Sequence, residues 1–233
     1  MFSKKPQEVG PGLYLVAGPE LTDPADCQVY GVDGGTEMAL IDCGAGPSTQ
    51  EILANLRGVG LDAKPLSAVI LTHCHVDHIG GLSTILRERS PKVICHRGDL
   101  EAIETGDPVR TAASWYGVRL PPIRVDRVIE GEEEAIQVGS TQLRCIHTPG
   151  HTPGSISVLW ETEWGRVLFG QDIHGPFLPE FGSDPEQWAG SMKRLLALRP
   201  DVLCEGHFGV FRPWKEVERF IQGHLRQQGF YVR

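Results

Sequence analysis

The chain has 233 residues, of which 40% are hydrophobic and 22% charged, values typical of a globular protein rather than a disordered one. Its formal net charge of −8 argues against a nucleic-acid partner, because binding to a phosphate backbone needs a basic surface. No apolar run is long enough for a membrane span, and one domain over residues 1–233 is the simplest organisation for this length.

The start of the chain lacks the apolar core of a signal peptide, which favours a cytoplasmic location. The six cysteines are scattered and form no Cys-x-x-Cys pair, so cysteine-based zinc and redox motifs are absent. We therefore expect buried free thiols that pack as small hydrophobic groups.

The first half of the chain alternates strand and helix patterns. Short β-type runs separated by glycine and aspartate predict hairpin strands at 13–17, 27–33 and 37–43. Ser48 and Glu51 form a capping-box pattern that predicts the start of a helix. The apolar run 67–72 that follows is typical of a strand buried on both faces.

The pattern continues with a helix at 80–89, a strand at 92–96 and a helix over 97–117 that Gly106 and Pro108 interrupt. Further strands are predicted at 123–130, 134–139, 141–148, 155–161, 165–172 and 201–206. Asp184 begins a later helix, and a closing helix starts at about Pro213. This order favours an α/β fold in which two sheets pack together with helices outside.

The segment LTHCHVDHIGG at 71–81 carries three histidines and an aspartate where the buried strand ends. In extended backbone His73 and His75 point the same way, so both imidazoles can meet one metal ion. Asp77 and His78 follow one turn later and can reach a second ion. Imidazole and carboxylate are good ligands for divalent metals, so we expect a metal site here.

This motif resembles the His-x-His-x-Asp-His sequence of the metallo-β-lactamase superfamily, in particular its hydroxyacylglutathione hydrolase-like and lactonase-like branch. Further motifs of that superfamily follow in order, as Asp42 in ALIDCGAG, His151 in TPGHTPGS, Asp172 in VLFGQD and His207 in CEGHFG. The resemblance covers roughly residues 10–210. It implies an αββα sandwich of two mixed β-sheets with helices on the outer faces.

The resemblance also implies a role for each motif residue. His73, His75 and His151 would hold one metal ion, while Asp77, His78 and His207 would hold another. Asp172 would bridge the two ions. Asp42 would hydrogen-bond to the metal-bearing loop without binding metal. The implied cofactor is two divalent ions, with zinc expected and manganese or iron as alternatives.

The implied chemistry is hydrolysis by a metal-bridging hydroxide, steadied by Asp77, without a protein nucleophile. His174 lies two residues beyond Asp172 and is a candidate to line the substrate pocket or donate a proton. Of the remaining histidines, we expect His96 and His147 to be structural and His224 to be exposed.

A small thioester, ester or lactone is the expected substrate. The stretch QDIHGPFLPEFG differs from that of glutathione-thioester hydrolases, and Gly175 replaces the tyrosine of lactonases. The alternative is a persulfide dioxygenase with a single iron held by two histidines and one aspartate. A non-catalytic binding module is disfavoured because no ligand is missing.

Several aromatic residues are candidates for the surroundings of the site, and the sequence does not decide between their roles. Trp115 or Tyr116 is a candidate for the pocket wall. Trp160, Trp164 and the stretch 177–181 could form either a homodimer surface or a lid over the site.

Overall fold

The computed structural model of the protein describes residues 5–231, and two mixed β-sheets make up its centre. Within this range the first sheet has seven strands in chain order: β1 (Gln7–Gly10), β2 (Leu13–Ala17), β3 (Val29–Asp33), β4 (Met38–Ile41), β5 (Leu66–Ile70), β6 (Lys92–His96) and β7 (Arg127–Ile129). Strands β1 to β4 pair antiparallel, and β4 to β7 pair parallel.

The second sheet has six strands over the same described range and runs from β13 to β8 in the reverse of chain order. Its strands are β8 (Glu133–Val138), β9 (Thr141–His147), β10 (Ile156–Thr162), β11 (Gly165–Gln171), β12 (Val202–Glu205) and β13 (Gly209–Phe211). Only β11 and β12 pair parallel, while the other neighbours pair antiparallel.

Six α-helices in the described part of the chain connect the strands: α1 (Thr49–Gly58), α2 (Val76–Ile79), α3 (Leu82–Arg89), α4 (Arg97–Thr105), α5 (Pro185–Leu198) and α6 (Trp214–Gln227). A 3₁₀ turn covers Pro179–Phe181. Among residues 5–231 no helix has the length and apolar character needed to cross a bilayer.

Three apolar layers hold the sheets and helices together. The central layer contains inward side chains of both sheets, such as Ile70 from β5 and Phe169 from β11. A second layer packs α1, α3 and α4 on the first sheet, and a third packs α5 and α6 on the second, with Trp188 fully buried there. The predicted αββα sandwich with helices on its outer faces is therefore confirmed.

Several element predictions differ from the structure. Of the predicted strand 123–130 only Arg127–Ile129 pairs, and the helix predicted over 97–117 ends at Thr105, where Gly106 adopts a left-handed conformation. The capping box is wrong, because the Ser48 hydroxyl donates to the buried carboxylate of Asp26 rather than capping α1.

The short strands β1 and β13 carry no strong sequence signal and were not predicted. His224 is half-buried rather than exposed, because its ring packs on Phe220 of the same helix, with 4.6 Å between ring centroids.

Asp99, at the start of α4, joins a loop of the first sheet to a loop of the second. Its fully buried carboxylate accepts hydrogen bonds from the backbone N–H of Cys74 at 2.9 Å, the Thr152 hydroxyl at 2.7 Å and the Gly154 N–H at 2.8 Å. Hydrogen bonds to a buried charged group are among the stronger ones in proteins. Asp99 therefore fixes the distance between the loop after β5 and the loop after β9.

Replacing this carboxylate by an amide tests the connection. Asp99→Asn keeps the shape but turns an NH₂ group toward donors, so the free energy of unfolding should fall by about 3 kcal/mol. Urea unfolding of the chelator-treated protein measures the change. Asp62→Asn, at a partly exposed aspartate that pairs with Arg57, is the matched control and should change stability by less than about 0.5 kcal/mol. Equal losses in the two variants would contradict the role assigned to Asp99.

Candidate metal centre

The predicted site residues all lie in loops that follow strands at one edge of the two sheets. Asp42 follows β4, the segment 73–78 follows β5, and His151 follows β9. Asp172 and His174 follow β11, and His207 follows β12. Because β9, β11 and β12 run in the same direction, their carboxyl ends meet at the same place. Strand ends of this kind are where α/β folds collect polar residues.

The loop after β5 turns sharply into the short helix α2. His75 keeps an extended backbone and is the residue that precedes the helix, and His78 lies within the helix. Both His73 and His78 are buried. The rings of His73 and His75 have centroids 4.7 Å apart. The sequence therefore places two imidazoles side by side before the helix begins.

His151 reaches the same place from the second sheet. Its loop needs Gly150, whose φ is +135° and where an added Cβ would lie 2.3 Å from Trp188. The Ser183 hydroxyl donates to the His151 carbonyl at 2.7 Å. The ring centroids of His151 and His73 are 4.7 Å apart.

Two groups of potential ligand atoms result, each with its atoms within 4.8 Å of one another. The first comprises His73, His75, His151 and Asp172, and the second comprises Asp77, His78, Asp172 and His207.

The two oxygens of Asp172 face different groups. Oδ2 lies 3.5 Å from His151 Nε2 and 4.0 Å from His73 Nε2. Oδ1 lies 3.2 Å from both His78 Nε2 and His207 Nε2. One carboxylate thus belongs to both clusters.

Several atoms in this cluster have no hydrogen-bond partner among residues 5–231. They are Nε2 of His73, His75 and His78, Nδ1 of His151 and Oδ1 of Asp172, and all are buried. A buried polar atom without a partner costs folding free energy, so this concentration of them needs an explanation. Neutral imidazole nitrogen and carboxylate oxygen are ligands that zinc and similar divalent ions accept. The residues therefore fit a metal centre.

The protonation states differ between the two groups. Burial lowers the pKa of His151 to about 3, assisted by the neighbouring His75, and burial also lowers the pKa of His73. Burial alone would raise the pKa of Asp172, but His207 and His78 outweigh it and hold that pKa well below its ordinary value. In turn Asp172 outweighs burial and raises the pKa of His207 to about 10, and neighbouring acidic groups raise the pKa of His78. Neutral His73 and His151 beside an ionised Asp172 are the forms that bind metal, whereas His78 and His207 would release a proton on binding.

Asp42 lies behind the cluster and orients it. Its carboxylate accepts hydrogen bonds from the Thr72 N–H at 2.8 Å and the Thr72 hydroxyl at 2.7 Å. It also lies 2.8 Å from Nδ1 of His78, which leaves Nε2 of that ring facing Asp172. A carboxylate on the far nitrogen of a ligand histidine fixes its tautomer and orientation.

Sequence reasoning missed three residues that support the cluster. Cys27 lies with Asp42 and His78 in a third buried group of potential ligand atoms. Asp99 holds the backbone of Cys74, whose thiol contacts the Arg110 carbonyl at 3.4 Å. Asp99 had a weak local signal, since it is an acidic residue three positions after the predicted strand 92–96.

Glu205 is the third missed residue. It is fully buried and accepts hydrogen bonds from the backbone N–H groups of His207 at 2.6 Å and Phe208 at 2.8 Å. Its other oxygen lies 3.0 Å from Nδ1 of His174. His174 is thereby fixed at the edge of the cluster, with its ring centroid 5.2 Å from that of His207 and its side chain 23% exposed.

The remaining histidines form a separate pair. The rings of His96 and His147 stack with centroids 3.7 Å apart. His96 Nδ1 accepts a hydrogen bond from the Gly98 N–H and so caps α4, and His147 Nε2 lies 2.9 Å from the Pro153 carbonyl. Neither belongs to a group of potential ligand atoms in the described residues, and these contacts are consistent with the predicted structural role.

Aromatic side chains flank the cluster on the side of His75. Phe181 packs on His75, with 4.5 Å between ring centroids, and Trp115 packs on Phe181 at 5.0 Å. The expectation that Trp115 contributes to the wall agrees with this position. Trp160 and Trp164 lie on the β10–β11 hairpin, at the opposite end of the strands, and so cannot form a lid here.

Comparison with known proteins identifies a family model and relatives that match this chain. The family model of the metallo-beta-lactamase superfamily matches residues 22–207. The chain is 28% identical over 239 residues to the acyl-coenzyme A thioesterase MBLAC2 of Gallus gallus, covering 90% of this chain and 82% of the relative. It is 32% identical over 186 residues to the hydroxyacylglutathione hydrolase of Anaeromyxobacter dehalogenans, covering 79% and 61%.

Among solved structures, the metallo-beta-lactamase GOB-18 from Elizabethkingia meningoseptica superposes with a TM-score of 0.79 at 22% identity, covering 97% of this chain and 89% of that one. This likeness concerns the fold. The family model spans most of the chain and shows the family. The protein belongs to the metallo-beta-lactamase superfamily and is a metal-dependent hydrolase.

Proposed function

We propose that the cluster binds two divalent metal ions, zinc in the first instance, and hydrolyses a small thioester, ester or lactone. His73, His75 and His151 would hold one ion, and Asp77, His78 and His207 the other, with Asp172 shared. The observation that carries the proposal is the carboxylate of Asp172, whose two oxygens face different groups. A carboxylate so placed is suited to bridging a metal pair.

When bound, such ions supply a low-pKa water as nucleophile and polarise the carbonyl of the substrate. The protein's own residues would orient that chemistry. Asp77 Oδ2 lies 3.2 Å from His207 Nε2, so Asp77 and His207 hold each other in place. Asp42 orients His78 in the same way from behind.

The thiols offer no competing nucleophile. All six cysteines are buried in the described residues, and burial raises the pKa of Cys27 to about 12. A protonated thiol is a poor nucleophile. Attack by water is therefore favoured over a covalent enzyme intermediate.

His174 is proposed to act on the leaving group. Glu205 accepts from Nδ1 of His174, which leaves Nε2 free to hold or pass a proton at the edge of the site. The substrate class is supported by the relatives, since one is named a thioesterase and another a hydroxyacylglutathione hydrolase. Both names describe cleavage of a thioester.

Metal content provides the first test. The protein purified with zinc should hold about two ions per chain, and a chelator should abolish hydrolysis of a thioester and a lactone until zinc is restored. His151→Ala should lose at least one ion and all measurable turnover. His147→Asn, at a structural histidine outside the cluster, is the matched control and should keep both.

Elemental analysis and an oxygen electrode also distinguish the proposed hydrolase from the alternative, a persulfide dioxygenase with a single iron. One iron per chain, with oxygen consumption on a persulfide and no acyl hydrolysis, would replace the hydrolase by a mononuclear dioxygenase. Full activity in His151→Ala would contradict the assigned ligands.

His174 gives a separate prediction. His174→Asn should lower kcat by about 100-fold, because a positioned proton donor contributes on that order. Metal content should stay unchanged, since His174 belongs to neither ligand group. The control is His224→Asn, because the ring centroid of His224 lies 6.4 Å from that of His174. This variant should retain most of the rate. An unchanged kcat in His174→Asn would remove His174 from the mechanism.

A further inference from the structure

A cavity of about 330 Å³ opens beside His207, between the loop that follows β2 and the loop that follows β12. Its lining includes Leu15, Pro19, Leu21, Gln28, His207 and Phe208. Its volume falls at the lower end of the range for cavities that bind small ligands. A larger cavity of about 710 Å³ lies beside Trp160 and Trp164 at the far end of the strands, away from the metal centre.

The cavity shares His207 with the proposed metal centre. The His207 side chain is 24% exposed, whereas those of Asp77 and Asp172 are 7% and 6% exposed. The Gln28 N–H donates to the Gly206 carbonyl at 2.7 Å, which fixes the cavity wall to the loop of His207. A substrate group in the cavity would therefore lie beside one of the proposed metal ligands.

The lining combines apolar side chains with two glutamines, of which Gln7 is exposed and Gln28 is partly buried. Leu15, Pro19, Leu21 and Phe208 supply apolar surface. Oε1 of Gln28 is buried and has no hydrogen-bond partner within residues 5–231. Since rotation of a glutamine amide exchanges its oxygen and its NH₂ group, this side chain can offer either an acceptor or a donor. The cavity thus suits a short aliphatic group that carries a hydrogen-bonding function.

The described lining residues offer no cationic partner for an anion. Among the described residues that line the cavity none is a lysine or arginine, and Glu20 is exposed at the rim. A neutral group fits this lining, and a secondary amide provides both a carbonyl and an N–H to pair with Gln28.

We propose that this cavity binds a neutral aliphatic secondary amide a few bonds from the scissile carbonyl, with Gln28 as the residue that recognises it. The inference rests on the proposed acyl hydrolysis and specifies its substrate. Such an amide occurs in the thiol arm of N-acylcysteamine thioesters and in the acylamino group of N-acyl lactones. Both sources share the same chemistry, and the test distinguishes them.

Matched substrates measure the contribution of the amide. The zinc-loaded protein is given S-butanoyl-N-acetylcysteamine and a butanoyl thioester whose thiol carries an alkyl chain of equal length. An N-butanoyl amino lactone and an alkyl lactone form the second pair. For each pair the ratio of kcat/KM values, amide over alkyl, is compared between the wild type and Gln28→Met.

Gln28→Met keeps the backbone bond to Gly206 and nearly the same side-chain volume, but removes the amide. The ratio should fall about threefold to tenfold for the pair whose amide occupies the cavity. Because a ratio does not depend on the amount of folded enzyme, instability of the variant does not affect it. Gln142→Met, at an exposed glutamine on β9, is the control and should leave both ratios unchanged. Ratios in Gln28→Met within twofold of the wild type for both pairs would overturn the inference.

Binding separates this inference from the proposed activity. The S-methyl thioether of N-acetylcysteamine cannot be hydrolysed, and its affinity can be measured by NMR titration. Weaker binding to Gln28→Met than to the wild type would support the cavity assignment even if no acyl substrate turned over. If substrates are hydrolysed but neither ratio nor binding responds to Gln28→Met, the proposed function stands and the cavity assignment falls.

Discussion

The carboxylate of Asp172 is the interaction on which the arrangement of this centre depends. It lies at the end of β11, in the middle of the second sheet, and reaches histidines from both sheets. Without a positive partner, a buried carboxylate facing unpaired imidazole nitrogens would be unfavourable. A pair of cations would satisfy all of these atoms at once.

Buried carboxylates outside the ligand groups hold the ligand loops in place. Asp42 fixes Thr72 and His78, Asp99 fixes Cys74 to the loop of His151, and Glu205 fixes the backbone at His207. Each accepts hydrogen bonds from backbone N–H groups that no strand or helix satisfies. Rigid ligand loops lower the entropy lost on metal binding and keep the ligand atoms in register.

The two sides of the centre differ in character. Phe181 and Trp115 cover the side of His75, whereas the side of His207 opens into the cavity that contains Gln28. His174 lies near the open side, held by Glu205. Phe208 lines the cavity and packs on His174, with 5.0 Å between ring centroids. Selectivity would then come from the loop that follows β2, which shares no residue with the proposed metal ligands.

The sequence by itself determined the fold class and the set of potential ligands. A histidine motif directly after a buried strand specifies chemistry locally, because residues 73–78 need only one strand end and one turn to come together. The two-sheet sandwich also followed from the alternation of strand and helix patterns. Only the tertiary structure decided which distant residues meet. Asp99 and Gln28 lie outside the quoted motifs, and Glu205 lies inside CEGHFG without a role that the motif assigns to it. Their roles depend on contacts between parts of the chain that are far apart in sequence. Even Ser48, a local capping signal, bonds to Asp26 instead. Side-chain hydrogen bonds between loops depend on how the sheets pack, so a pattern of neighbouring residues does not predict them.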